Sequence, residues 1–541
     1  VAIDPKTAET IVYVGSRDYF REDIDGQNDM ANALNSPGSS FKPFTYLTAF
    51  MNLGWGPGTM ILDTPFPLEY WDGENPPRNP GTGFQGPISV RNSLGNSLNI
   101  PAVKTIMYAG VPTVVDQATK MGITGLDASR LGPSMTIGGV DVKLNDMVYA
   151  YTAFPNLGIL KGVESTVPRP AGNRTLDPVS ILRVEDREGN VLYPIVDGEP
   201  SPDGPQLQEA RVAPAEQTYM ISNILSDGSA QCIVFGCGGL GIGRPLAVKT
   251  GTSEPYETIG AIGDTWAIGY TPQLVVGSWF GNADNSPMTG ITSTSVSWRA
   301  VRDLQVAYHE ELPVESFTRP AGLVEGQVCI PSGLKADKDC AVKSQRDLLA
   351  SDSLPGQDDS WWTVAEIDTR TGKLASALTP ERFVEERFYL ALPEGLGSWP
   401  RNQALEWARE LESASAEEPP TESTDASDLP SAIISPASAA QLQGPVPVSG
   451  RAGSQDFVAF RLEYRYDTEP GDWVLIIRRD IQVAEGILAV WDTTGLPFGL
   501  YTLRLVVEDE ELGEQEDRVQ VLLIGTATVA PTPTVLPEQI E

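Results

Sequence analysis

The sequence predicts an α+β domain followed by an all-β one. Two observations carry the first part. A terminal hairpin gives way to a mainly helical middle, and that middle is followed by three strand-like runs in quick succession and one last amphipathic helix. The second part rests on residues 433–525, where apolar and polar positions alternate in short runs separated by turn residues at sandwich-like spacing. At 541 residues the chain has room for two or more domains, each with a real core.

Taken in order, Val1–Ile3 and Thr10–Val14 flank the turn Asp4-Pro5-Lys6-Thr7-Ala8-Glu9 and read as a hairpin. Pro37-Gly38 signals a turn, and Phe41, Phe44, Leu47, Phe50 and Met51 then recur at helical spacing. A Pro/Gly/aromatic-rich connection runs from Gly54 to Pro87. Helical patterns resume at Ser89–Asn96, Pro101–Ala109, Thr113–Met121 and Asn145–Phe154. Ile181–Glu185 and Val191–Tyr193 form a second hairpin pattern around Asp186–Asn190, and Ala213–Leu225 is again helical. Leu246–Thr252, Thr265–Tyr270 and Leu274–Phe280 are the strand candidates, with helix Trp298–Tyr308 closing the region.

Beyond residue 320 long periodic segments become scarce. Trp362–Glu366 and Lys373–Ala377 suggest a small hairpin around Asp368–Gly372, and Leu405–Leu411 a short helix. The expected organisation is a domain over 1–319, an extension with small β elements over 320–412, a flexible acidic linker over 413–432, a sandwich over 433–525 and a disordered tail over 526–541. The sandwich strands are expected at Phe457–Tyr464, Trp473–Ile477, Leu488–Trp491, Tyr501–Val507 and Arg518–Leu523.

Composition excludes some functions. A net charge of −34 argues against nucleic acid and against an anionic membrane surface as partners. No apolar run approaches the roughly 20 residues of a membrane helix. The opening Val1-Ala2-Ile3-Asp4 is already strand-like and is no signal peptide, which suggests a piece of a longer protein. The four cysteines form two close pairs, Cys232 with Cys237 and Cys329 with Cys340. Local disulfides are the simplest reading, free thiols the next, and a zinc site needs both pairs to converge at poorly suited spacings. The single histidine, His309, sits in the last helical pattern, where packing is its expected role. A Ser-His-Asp triad could use only this residue, which raises lysine as a base for any serine nucleophile.

Three short signals carry chemistry. Ser39 precedes a helix with Lys42 one turn on, so a hydroxyl and an amine share one side. That pair alone reads equally as an N-cap and a solvated lysine, and Ser332-Gly333-Leu334-Lys335 has the same spacing. Ser97-Leu98-Asn99 lies between two helical patterns, and Lys249-Thr250-Gly251-Thr252 ends a strand candidate. Each is weak by itself, commonly a turn or the end of an edge strand. In the order Ser-x-x-Lys, Ser-x-Asn, Lys-Thr-Gly they match the set of penicillin-binding proteins and serine β-lactamases.

With the surrounding stretches Val1–Thr7, Pro37–Phe44, Asn96–Val103, Gly132–Gly139, Lys249–Thr252 and Asp264–Pro272, residues 1 to about 315 resemble the transpeptidase domain of class A (bifunctional) penicillin-binding proteins. The resemblance implies that fold, an antiparallel sheet with helices on both sides plus a helical subdomain. It also implies a serine D,D-transpeptidase that cross-links peptidoglycan stem peptides through an acyl-enzyme on Ser39 and is acylated by β-lactams, with no cofactor and no metal. Lys42 is then the general base, Ser97 the proton relay and Lys249 the positive potential for the donor's carboxylate. Asn99 holds Lys42 and the substrate's amide, Thr250 and Thr252 offer hydroxyls, and Gly251 leaves room for a substrate along the strand. The oxyanion donors are the backbone N–H groups of Ser39 and Thr252.

The upstream glycosyltransferase domain and membrane anchor of class A proteins are not in this sequence. Anchoring through a preceding segment and a place on the extracytoplasmic face of the bacterial membrane are expected, with residues 433–525 as an Ig-like module. Two rivals remain. The same fold serves D,D-carboxypeptidases and β-lactamases, in which water deacylates the serine, although no acidic residue between 97 and 249 stands in a recognised deacylation motif. A non-enzymatic β-lactam sensor or wall-binding scaffold keeps the pocket for recognition only.

Overall fold

The computed structural model describes residues 1–525 except 67–70, 73–75, 82, 197–198, 202–203, 255–260, 330–343, 351–361, 377–378, 380–382, 392–413, 416–418, 425–430, 455, 468–470 and 512. Two compact units divide the chain: Val1–Trp361 with Leu392–Glu410, and Trp362–Ala391 with Leu411–Glu541. The segment 320–412, read from sequence as one extension, is therefore shared between them.

The first unit is built on a five-stranded antiparallel sheet. Its strands are β1 (Ala2–Ile3), β2 (Thr10–Val12), β3 (Ala247–Thr252), β4 (Asp264–Tyr270) and β5 (Val275–Gly281), in the spatial order β3-β4-β5-β1-β2. The N-terminal hairpin thus completes a sheet whose other strands begin at Ala247, with Ala2 opposite Val276. All seven residues of β4 are buried, as a central strand covered on both faces requires. Side chains alternate between two cores. Val248, Ala267 and Val276 pack with Trp298 and Val301 of helix α7 (Ser297–Tyr308), while Ala247, Trp266, Ile268 and Tyr270 join the larger core.

That larger core surrounds α1 (Lys42–Asn52), in which every residue from Lys42 to Phe50 is buried. The sequence pattern suggested one apolar face; the helix is instead enclosed all round. Helices α2 (Val90–Gly95), α3 (Asn99–Ala109), α4 (Val111–Met121), α5 (Leu144–Tyr151) and α6 (Ala215–Leu225) lie about it. Phe44 meets Phe41, Tyr151 and Phe154 at ring distances of 5.3, 5.6 and 6.0 Å. Truncating such a ring costs about 3–5 kcal/mol, so the helix that carries Lys42 is firmly held.

Elements outside the motifs were less visible in the sequence. Met60–Asp63 pairs with Gly86–Ser89, and Leu323–Cys329 pairs with Ser344–Ala350. The second hairpin is tied to α2 and α6, because Arg91 donates to Asp347, Asp227 and Asn223. Cys232 and Cys237 form a disulfide. Cys329 is disulfide-bonded too, whereas Cys340, Ser332, the helix expected at 405–411, most of the linker and the tail lie outside the described residues.

In the second unit, Trp362–Asp368 pairs with Val384–Leu390 rather than with 373–377. The tight turn exists, with the Gly372 amide donating to the Asp368 carbonyl, but beyond it residue 374 makes only isolated bridges, to Ile367 and Ser423. The C-terminal region is a sandwich of two sheets around one core. One sheet contains β6 (Ala432–Ser435), β8 (Pro445–Ala452) and β11 (Val483–Asp492). The other contains β7 (Gln441–Leu442), β9 (Phe457–Tyr466), β10 (Val474–Arg479), β12 (Gly499–Asp509) and β13 (Gly513–Leu523). Val448, Leu488 and Trp491 from the first sheet meet Phe460, Leu462, Tyr501, Leu503 and Val521 from the second.

Candidate active site

Ser39 lies inside a 3₁₀ turn, Gly38–Phe41, that leads directly into α1. The capping reading of Ser39 fails, because α1 has Phe41 at its N-cap and the Ser39 carbonyl accepts from the Lys42 amide. Ser39 is half-buried between the buried Gly38 and Ser40. The turn is fastened by its neighbours. The Ser40 hydroxyl donates to the Pro37 carbonyl at 2.7 Å, and the Tyr151 hydroxyl donates to the Ser40 carbonyl at 2.6 Å.

Two glycines let this turn lie against strand β3. Gly38 has φ +52°, and a Cβ on it would stand 2.5 Å from the Thr252 nitrogen. A Cβ on Gly251 would run into the Pro37 carbonyl oxygen and stand 3.0 Å from the Ser40 nitrogen. The space that Gly251 keeps open in this structure is thus filled by the turn that bears Ser39, a different steric role from the substrate clearance expected from sequence. The same contact brings the Thr252 backbone beside Ser39.

Ser97-Leu98-Asn99 forms the third wall, at the junction of α2 and α3. Ser97 has φ +59°, a left-handed conformation that is unusual for serine and typical of functional sites. Its two oxygens separate the two lysines. Lys42 donates to the Ser97 carbonyl at 2.6 Å and to Asn99 Oδ1 at 2.6 Å. Lys249 donates to Ser97 Oγ at 2.6 Å and to the Thr250 carbonyl at 2.9 Å.

Both lysines are buried, and the consequences for charge are large. Burial holds Lys42 well below the usual lysine range, and the neighbouring Lys249 ammonium pushes it down further. Burial alone lowers Lys249 to about 7. Desolvation is the larger of the two causes for Lys42. A neutral amine one turn from a half-exposed serine can accept its proton, and a charged Lys249 beside Ser97 Oγ can polarise a relay.

The remaining expectations sort as follows. Thr250 is buried and Thr252 half-buried at the end of β3. His309 caps α7 and bonds Thr271 Oγ1 and the Gln305 carbonyl, a packing role. Sequence reasoning missed a supporting layer. Asn79 Oδ1 accepts from the Asn99 and Ile100 amides, Arg78 offers its carbonyl to Asn99 Nδ2, and Asp63 accepts from Asn79. On the other side Asn96 accepts from the Ile233 and Val234 amides and donates to the Ala230 carbonyl, tying the Ser97 turn to the loop closed by Cys232–Cys237. The only sequence signal for this layer was the density of Asn, Pro and Gly around positions 76–86 and 96.

Residues 1–160 match the family described as the penicillin binding protein transpeptidase domain. The chain is 29% identical over 338 residues to penicillin-binding protein 1C of Escherichia coli, covering 62% of this chain and 37% of that protein. It is 26% identical over 387 residues to penicillin-binding protein 2D of Bacillus subtilis, covering 67% and 51%. It thus spans between about a third and a half of these curated relatives. The crystal structure of penicillin-binding protein 1A from Haemophilus influenzae shares the fold at a TM-score of 0.51 and 20% identity, over 66% of this chain and 54% of that one.

Proposed function

We propose that the N-terminal unit, whose residues 1–160 match the penicillin binding protein transpeptidase domain, is a serine D,D-transpeptidase acting on peptidoglycan stem peptides. The observation that carries the reading is the convergence of three distant segments. Lys42 and Lys249 are buried together and bonded to opposite oxygens of Ser97, beside the turn that bears Ser39.

In the proposed reaction Ser39 Oγ attacks the carbonyl of the penultimate D-alanine while neutral Lys42 takes its proton. Ser97, held by Lys249, passes a proton to the leaving amine of the terminal D-alanine. The amides of Ser39 and Thr252 stabilise the oxyanion. Lys249, with Thr250 and Thr252, receives the donor's terminal carboxylate, and Asn99 holds Lys42 and the donor's amide. The amine of a second stem peptide then attacks the ester, releasing Ser39 and forming the cross-link. A β-lactam enters as a donor mimic and leaves a penicilloyl ester on Ser39. The Cys232–Cys237 disulfide supports an extracytoplasmic setting.

The test is covalent labelling with a fluorescent penicillin and mapping of the labelled peptide. Label is expected on Ser39 and is expected to vanish in Ser39→Ala; label elsewhere, or undiminished label in the variant, overturns the assignment. Turnover of a stem-peptide donor with and without an amine acceptor then separates cross-linking from hydrolysis.

A further inference from the structure

The dipeptide Arg78-Asn79 belongs to none of the three motifs, yet it accepts from both the backbone amide and the Nδ2 of Asn99. Asn79 Oδ1 accepts from the Asn99 amide at 2.9 Å and from the Ile100 amide at 3.1 Å. These are the first two N–H groups of α3, and the residue at its N-cap, Leu98, has no side-chain oxygen to satisfy them. The cap is supplied from 20 residues upstream. The Arg78 carbonyl, which can only accept, takes Asn99 Nδ2 at 2.6 Å. That choice turns Asn99 Oδ1 toward Lys42, whose Nζ it accepts at 2.6 Å.

Asn79 is itself fixed. Its Nδ2 donates to both carboxylate oxygens of Asp63, at 2.8 and 2.7 Å, and to the Gly83 carbonyl at 3.0 Å. Asp63 is fully buried at the end of a strand and also accepts from the Gln85 amide at 2.9 Å. An acceptor-only carboxylate on one side and two amide donors on the other leave Asn79 a single orientation. The chain of contacts Asp63, Asn79, Asn99, Lys42 is continuous.

We propose that Asn79 is a positioning residue for acyl transfer, acting through Asn99 to aim the amine of Lys42. The proposal rests on the functional reading above, since it concerns the base of that reaction. It assigns a role in the chemistry to the Pro/Gly-rich connection between α1 and α2. General-base transfer is sensitive to sub-ångström placement, so release of Asn99 is expected to slow acylation by roughly tenfold to a hundredfold.

The experiment is a double-mutant cycle on the full chain, with the second-order rate of acylation by a fluorescent penicillin as readout and the thermal midpoint recorded for each variant. Asn79→Ala is expected to slow acylation by roughly tenfold or more, and to add nothing further in an Asn99→Ala background. Asn79→Ser, whose hydroxyl still accepts from the α3 amides, is expected to restore part of the rate. It also replaces the alanine variant in the cycle if that protein does not fold. An unchanged rate in Asn79→Ala, within about twofold, overturns the proposal. So does an equal loss in both backgrounds, which marks a merely structural contact. Absence of Ser39 labelling in the unsubstituted protein overturns the functional reading first and this one with it, and is thereby distinguished from the other outcomes.

Discussion

The sandwich surface and the site around Ser97 treat their cations in opposite ways. On the sandwich, Arg461 donates to Glu463, Glu508 and Glu514, Arg478 to Glu508 and Arg504 to Glu463, and Arg504 also lies 4.0 Å over the Trp473 ring. Every one of these charges meets an opposite charge. Arg461 is accordingly pushed up, first by its hydrogen bond to Glu514, and Glu508 is lowered, first by Arg478. In the first unit Lys42 and Lys249 are buried against carbonyl, amide and hydroxyl oxygens, and both are pushed down. Paired cations lock a surface into one geometry. Cations buried against neutral dipoles sit near the point of losing a proton, which is the condition a base needs. The contrast does not follow the unit boundary, since Arg91 and Arg174 in the first unit are paired with Asp347 and Asp146 and belong with the sandwich arginines.

The largest test of this contrast is Lys42→Met. A desolvated amine replaced by a thioether of similar length should leave the thermal midpoint unchanged or higher, because no buried ion pair is broken. Acylation by a fluorescent penicillin should fall by roughly 10²–10⁴-fold, the usual contribution of a general base. A large loss of stability with modest loss of acylation would place Lys42 among the structural cations.

A test of intermediate size uses pH. A neutral Lys42 is needed, so the rate should fall on the acid side as Lys42 takes up a proton. A charged Lys249 is needed, so the rate should fall again above about 7, by roughly tenfold per pH unit. The second-order acylation rate should therefore be bell-shaped, with apparent values belonging to the coupled pair. Lys249→Arg, which stays charged, should lower the rate but remove the alkaline limb; a limb that persists would detach it from Lys249. Stability should respond with its own sign. Lys249 has a lowered folded-state value, so the unfolded chain binds the extra proton between about 7 and 10.5 and stability should rise with pH across that window.

The smallest effect is expected on the sandwich. Arg461→Ala should lower stability by about 0.2–1 kcal/mol, as for other partly exposed ion pairs, and leave Ser39 labelling unchanged. Urea unfolding followed by tryptophan fluorescence would measure it.

Much of the first unit was legible because its elements are long and its signals local. The seven α-helices among its described residues and the last three strands of its sheet lie within a few residues of the expected positions, and the three motifs needed only their order to be noticed. Pairing was less accessible. Nothing local links Ala2 to Val276, and Leu323–Cys329 reads as irregular because its partner is 15 residues away. In the sandwich, β8 carries Pro445, Pro447 and Gly450, which mask a strand whose Val446, Val448 and Ala452 still alternate inward. The supporting layer of the site was the least visible. Asp63, Arg78, Asn79 and Asn96 act through single hydrogen bonds across gaps of up to 138 residues, and no periodicity records such contacts.

The close approach of the Ser39 turn to β3 bears on how such a site can change over generations. The Ser39 turn and β3 touch main chain to main chain at Gly38 and Gly251, where even a methyl group collides with backbone atoms. Neither position can drift without opening the joint between the two halves of the site. On the proposed function, variation in which acyl donors enter has to arise from side chains at the rim.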